Sequence, residues 1–279
     1  MKVIRIICLM LALVFSAVIF AGCGGGNSSQ YVILDENFGA EEYAIGFRKG
    51  ENALTLKVQS IIDEMIADGK AAEISKTWFG SDQILKNKDF PRAIQDTGDS
   101  SLDDLMGRGK LIMGLDVSFE PMGYYDDAGN IVGFDIDLAK EVAKRLNVEL
   151  VLQPIDWDAK ELELNGGKID CIWNGMSITP ERTEAMNISK PYLANRMVII
   201  VNKDSNIKTK ADLADKIVSV QQGSSAIEAI DSEPDVKATF KELAEYPDNP
   251  SAFLDVQTGR VDALVVDEVV GRNLIKTVK

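Results

Sequence analysis

Apolar positions along this chain switch between two spacings. Compact apolar runs at residues 111–115, 148–152, 169–173, 196–202, 217–220 and 262–266 predict buried strands. Between them, apolar residues three and four apart predict helices over 54–72, 134–146, 157–164, from 181 onward, over 209–215 and over 225–230. In the 134–146 helix, Asp135 is expected as the cap and Asp137 as a first-turn acid. Trp78 and Phe79 are expected to plug a core. Periodicity fades over 80–101, where Pro91 breaks any helix, so residues 81–101 are expected to be a linker. Repeated β-α-β units favour a mostly parallel sheet covered on both faces. Two such sets suggest two lobes with a cleft between them.

The segment from Ile169 to Arg182 carries the chemistry. A strand over 169–173 is expected to hand over to Asn174, Gly175 and Ser177, which expose backbone and small polar groups. Thr179 is a helix cap, Pro180 suits the first turn and Arg182 follows just inside. A helix start offers free N–H groups and partial positive charge, and an arginine fork beside it can receive a carboxylate. An ordinary strand-turn-helix with a solvated arginine fits the same residues.

Charge and cysteine use narrow the function. The net charge is −14, and losing Lys2 and Arg5 with a leader would take it to −16. Such a chain has no basic stripe to neutralise phosphates, so nucleic acid is not expected as a partner; a solvated acidic surface is. The absence of histidine excludes His-based metal sites and Ser-His or Cys-His catalysis. No cofactor is expected. Three cysteines stand at 8, 23 and 171; Cys171 reads as a small buried hydrophobe.

The N-terminus has a charged start at Lys2 and Arg5, an uncharged run over 6–21, then Gly22 and Cys23. It resembles a bacterial lipoprotein signal, which implies cleavage of residues 1–22 and lipid on Cys23. Residues 23–30 then form a flexible tether and the protein sits outside the cytoplasm, held to the membrane by its lipid. A transmembrane anchor is the competing reading, for which the run is short.

Further motifs point the same way. They are Gly114, Asp116, Phe119 and Pro121; Gly129, Gly133, Phe134 and Asp137; Ile155 and Trp157; Gly167 and Asp170; Ser177 and Arg182; Ser189, Pro191 and Tyr192; Gln221 through Ser225; and Gly259, Asp262 and Asp267. Taken jointly they resemble the bacterial extracellular solute-binding proteins, family 3, which bind polar amino acids for ABC transporters. The resemblance implies an α/β, two-lobed, type II periplasmic-binding-protein fold with a hinged cleft. One departure is large. The strand, Lys-Gly turn, long helix and Trp-Phe-Gly close that usually end such chains here come first, from Tyr43 through Lys49 and Gly50 to Gly80. The chain therefore looks circularly permuted. Lobe 1 is expected to hold 44–90 plus 102–193, and lobe 2 to hold 31–42 plus 196–279. Residues 81–101 would join the family's usual termini, and Lys279 should lie near Tyr31.

By the same resemblance Arg182 receives an α-carboxylate, helped by backbone near Ser177 and by Ser224 and Ser225 across the cleft. Asp267 receives the α-ammonium, with the Gly175 carbonyl close by. Phe119 and Trp157 wall the side-chain pocket. Asp116, Asn174, Met176 and Gln221 complete the candidate contacts. No lysine appears among these candidates, which argues against acidic ligands and favours a neutral polar or cationic L-amino acid. The expected partner is an ABC permease, and the expected state is a monomer. An enzyme on the same fold, or a sensory or adhesive lipoprotein, are the alternatives.

Overall fold

A computed structural model describes residues 30–277. The signal segment, Cys23 and nearly all of the tether lie outside the described residues. From the start run β1 (Tyr31–Phe47), α1 (Asn52–Ala67), α2 (Lys70–Phe79), α3 (Ser101–Arg108), β2 (Lys110–Leu115), β3 (Ser118–Phe119), β4 (Gly123–Tyr125) and β5 (Ile131–Val132). Next come α4 (Phe134–Leu146), β6 (Glu149–Pro154), a short 3-10 turn (Trp157–Ala159), α5 (Lys160–Asn165), β7 (Cys171–Ser177), α6 (Pro180–Ala185), β8 (Asn187–Ile188) and β9 (Leu193–Asn202). A second 3-10 turn (Lys210–Leu213), β10 (Ile217–Gln221), α7 (Ser225–Asp231), α8 (Pro234–Lys237), β11 (Glu242–Tyr246), α9 (Asn249–Gln257), β12 (Ala263–Asp267) and α10 (Glu268–Thr277) complete the described chain.

The main sheet runs β11-β10-β12-β9-β1-β7-β2-β6, with β8 beside β1. Pairing is parallel at the two ends, in β10–β11, β10–β12, β2–β6 and β2–β7. It is antiparallel through the middle, in β12–β9, β9–β1 and β1–β7. The sheet is therefore mixed rather than mostly parallel. Two β-α-β halves are joined by long antiparallel strands that belong to both.

Strand β1 changes partner along its length. Residues Tyr31 to Tyr43 face β9, from Tyr31↔Asn202 to Tyr43↔Leu193. From Tyr43 onward the strand faces β7, with Tyr43↔Ser177 and Phe47↔Cys171. The change of half falls at Tyr43 on one strand and Leu193 on the other. Buried Tyr43, Trp173 and Tyr192 pack at this junction.

Several sequence expectations need correction. The 54–72 helix is two helices, α1 and α2, because Gly69 adopts a left-handed φ of 85° between them. The 169–173 strand starts later and runs through Ser177, every residue buried, so Asn174 to Ser177 are strand residues and not a turn. Asp135 is no cap; α4 starts after Gly133, and Asp135 is buried. The 209–215 helix is a single 3-10 turn. The 80–101 stretch is largely irregular, yet it is tied down. Asp99 accepts from the Asn52 and Ala53 backbone N–H groups at 3.1 and 3.0 Å, capping α1. Burial opposes the Asp99 charge, but bonds from Ser101, Ala53 and Thr97 prevail and hold its carboxyl at about 2.

Trp78 and Phe79 pack against the core as expected: the Trp78 ring N–H donates to Asp137 at 2.9 Å and the Phe79 ring lies tilted, 4.9 Å from that of Phe134. Cys171 is a free buried thiol whose pKa burial raises. Among the described residues no helix is long and apolar enough to cross a membrane.

Candidate functional site

The site begins with an irregularity in β7. Ala44 pairs with Met176 but Gly46 pairs with Ile172, so four steps along β7 answer two along β1. The surplus is a bulge at Trp173, Asn174 and Gly175. Gly175 sits there at φ 57°, where an added Cβ would lie 2.6 Å from Phe119 and 3.1 Å from the Tyr43 ring. Only glycine fits between those rings. Its N–H donates to buried Asp135 at 2.7 Å, and the same carboxylate oxygen accepts from Tyr192 Oη at 2.9 Å. Burial pushes Asp135 up to about 7, against the pull of those two donors.

Beyond the bulge, β7 ends and α6 begins. Thr179 Oγ1 accepts from the Arg182 N–H at 3.2 Å, with Pro180 in the first turn, as the sequence predicts. The cap aims Arg182 back under β7. Its guanidinium is 3% exposed and donates to the Ser177 carbonyl at 2.8 Å and to the Gly223 carbonyl, in the other half, at 3.1 Å. It is therefore not solvated. Burial lowers its pKa, while the charges of Glu228, Glu41 and Asp267 act the other way. The hydroxyl of buried Ser177 has no hydrogen-bond partner.

On the junction, Asp267 ends β12, buried. Tyr43 Oη donates to it at 2.5 Å and Asn195 Nδ2 at 2.8 Å. Asn195 also donates to Glu41 at 2.8 Å, so one amide holds two carboxylates together. Burial, then the Glu41 charge, raises the Asp267 pKa well above the ordinary carboxylate range. Glu268, its neighbour, turns outward to Arg196 and Arg272.

The other candidates fall into two groups. Phe119 and Trp157 are both buried; Trp157 lies under Arg182, 6.0 Å from its guanidinium carbon, and also packs with Leu164, Ile169 and Ile172. Asp116 accepts from Ser118 N and Oγ at 2.8 and 2.6 Å and from Gln221 Nε2, across the halves, at 2.7 Å. Gln221 also takes Asn249 at 2.9 Å on its oxygen, so its amide is engaged in joining the halves. Asn174 Oδ1 accepts from the Asp116 N–H at 3.1 Å, while its Nδ2 lies toward Gly123. Asn174 therefore shapes the Asp116 turn. Met176 sends its side chain into the core beside Met186 and Gly46, leaving only its backbone for the site. Ser224 Oγ donates to the Gln221 carbonyl at 2.7 Å, and Ser225 is buried at the start of α7.

Two residues escaped the sequence reading. Lys160 is 5% exposed and donates to the same Gly223 carbonyl at 2.9 Å, its ammonium 5.3 Å over the Trp157 ring. The sequence reading counted no lysine among the candidates; Lys160 stands beside Arg182 nonetheless. Glu41 is the second, set beside Asp267 by the β1–β9 register, Glu41↔Asn195. No local motif marks either; both are defined by strands and loops far away in the chain.

A family profile of bacterial extracellular solute-binding proteins, family 3, matches residues 111–231. The L-cystine-binding protein of Escherichia coli is 32% identical over 63% of this chain and 65% of its own length. An arginine-binding protein of an Escherichia coli ABC transporter is 33% identical over 60% of this chain and 67% of its own. Among solved structures, an ABC uptake transporter substrate-binding protein from Streptococcus pneumoniae with bound histidine superposes with a TM-score of 0.62, at 35% identity, covering 64% of this chain and 74% of that one. The chain belongs to the bacterial extracellular solute-binding proteins, family 3. It spans just under two thirds of the cystine-binding relative.

Proposed function

We propose that this protein binds a polar L-amino acid outside the cytoplasmic membrane and hands it to an ABC importer. The observation that carries the reading is that buried, unlike charges stand on the two sides of the junction, each held by neutral groups. Arg182 donates to two carbonyl oxygens and Asp267 accepts from two neutral donors, and Arg182 feels the Asp267 and Glu41 charges. A zwitterion satisfies both ends at once, and Ser177 Oγ stands beside the carboxylate end with no partner. Relatives and neighbours whose names specify cystine, arginine and histidine support the ligand class. Binding requires no bond to break, and both carboxylates that could pair for acid/base duty are engaged, Asp116 with Ser118 and Gln221 and Asp267 with Tyr43 and Asn195.

In this reading residues 44–90 plus 102–193 form lobe 1, and 31–42 plus 196–279 form lobe 2. Bonds from Arg182 and Lys160 to Gly223, and from Gln221 to Asp116, are closing contacts between them. A ligand touching both lobes favours the closed form, which a permease would read. The family's usual order is permuted. Support comes from α10, whose Ile275 and Lys276 line one cavity of about 470 Å³ with Tyr31 to Asp35. Lys279 itself lies outside the described residues. Lipid on Cys23 would hold the protein at the membrane; replacing Cys23 by serine should move it from the membrane fraction to the soluble one.

A thermal-shift screen against the twenty amino acids and L-cystine tests the central reading. At a ligand concentration of one hundred Kd the fold gains about 2.7 kcal/mol, a clear rise in Tm. A flat response across the panel contradicts the proposal.

A further inference from the structure

The Lys160 ammonium and the Arg182 guanidinium meet at one carbonyl oxygen, that of Gly223. Both side chains are at least nine-tenths buried, and both lie over the Trp157 ring. Neither makes an ion pair among the described residues. The cavity they line, about 330 Å³, carries acidic side chains from every element packed around it: Asp158 and Glu161 beside Lys160, Glu181 on α6, Glu228 on α7 and Glu245 on β11. These sit beyond ion-pair distance. Two buried cations sharing one neutral acceptor repel each other, and a carbonyl dipole only partly offsets that.

We propose that Lys160 is a second receptor for the carboxylate of the bound amino acid, acting with Arg182. This deepens, and rests on, the amino-acid-binding reading above. An anion placed between the two cations removes their repulsion and completes the hydrogen bonding of both. Gly223 fits the role of shared support. At φ 62° it lets its backbone press against lobe 1, where an added Cβ would lie 2.8 Å from Asp158 Oδ1 and 3.3 Å from Lys160 Nζ. Burial, then the Arg182 charge, holds the Lys160 pKa down at about 8 in the absence of an anion. An anion beside it should raise that value, so binding should weaken as pH climbs past it.

The test separates an anion receptor from a simple latch. Lys160→Gln keeps a donor for Gly223 without the charge; Lys160→Arg keeps the charge. Calorimetry uses the strongest binder found in the amino-acid panel, with Tm recorded for each protein. Lys160→Gln should bind at least tenfold more weakly with Tm close to the parent, and Lys160→Arg within about threefold. Between pH 7 and 9.5 the parent should lose affinity that Lys160→Arg retains, titration of the ligand amine being common to both. Lys160→Gln binding within twofold of the parent, with coincident pH profiles, overturns the proposal and leaves Lys160 a latch. A parent protein that binds no member of the panel overturns the amino-acid reading and this one with it.

Discussion

The two charged ends of the site are built on opposite plans. On the α6 side, cations are buried against carbonyl oxygens: Arg182 on Ser177 and Gly223, Lys160 on Gly223. On the β12 side, a carboxylate is buried against neutral donors, Asp267 on Tyr43 and Asn195, with half-buried Glu41 on the same Asn195 amide. In each case dipoles, not counter-ions, hold the charge. Burial lowers the pKa of Arg182 and Lys160 and raises that of Asp267, so both ends are disfavoured as charged groups until an opposite charge arrives. Direct pairing between the ends would cancel the site. The bulge in β7 and the long β1–β9 pairing hold them on different elements, and in the proposed reading a zwitterion is the group that serves both.

Breaking the cation end should have the largest effect. Arg182→Ala leaves a ligand carboxylate without its guanidinium and should cost roughly 3–5 kcal/mol of affinity, enough to abolish detectable calorimetric binding. An unchanged Kd would dissolve the comparison. Asp267→Asn breaks the other end and should cost about 2–5 kcal/mol of affinity. Here stability should not fall, because the substitution removes a buried acid whose charge the fold disfavours; a urea midpoint well below the parent's would contradict this.

Gly175→Ala tests the bulge that separates the ends. A Cβ would meet Phe119 and Tyr43 at a left-handed φ, so about 1–3 kcal/mol of stability should be lost in urea unfolding. A neutral outcome would mean that the bulge relaxes freely.

The acidic groups also set a pH dependence. Asp135, held at about 7, and Asp267, raised as well, keep their protons in the fold at pH values where the unfolded chain has lost them. The Asp135 contribution is complete below the ordinary carboxylate pKa and disappears as pH rises through about 7, and the Asp267 contribution has the same sign. Stability should therefore increase as pH falls from 8 to 5.5, and Asp135→Asn should flatten that slope. Acids held low, such as Asp99 at about 2, act in the opposite sense but only below about pH 4. A stability that rises from pH 5.5 to 8 would refute the assignment. The smallest effect belongs to the termini. Joining residue 279 to residue 31 by a short loop and opening the chain within 81–100 should leave affinity within about twofold. A permuted chain that folds but cannot bind would argue against the break lying at a tolerant surface.

How far the sequence reaches depends on distance along the chain. The α4 helix was legible to the residue, because its apolar spacing repeats over three turns. The Thr179 cap and Pro180 were legible because their chemistry is local. The mixed sheet was not, since β1 pairs with strands more than a hundred residues away and nothing in its own pattern names them. Asp135 read as a helix cap; it lies in the first turn instead, and its buried partners Gly175 and Tyr192 come from other elements. Lys160 carries no local sign of its role, because the Gly223 carbonyl that it meets comes from the other half.

Grip at both ends is most directly tested by ligand chemistry rather than by mutation. The strongest binder of the panel is titrated beside its methyl ester, which lacks the carboxylate charge, and its des-amino analogue, which lacks the ammonium. Each analogue should bind at least one hundredfold more weakly than the parent amino acid. If either one binds within a few-fold of it, the end it lacks is not held by the site described.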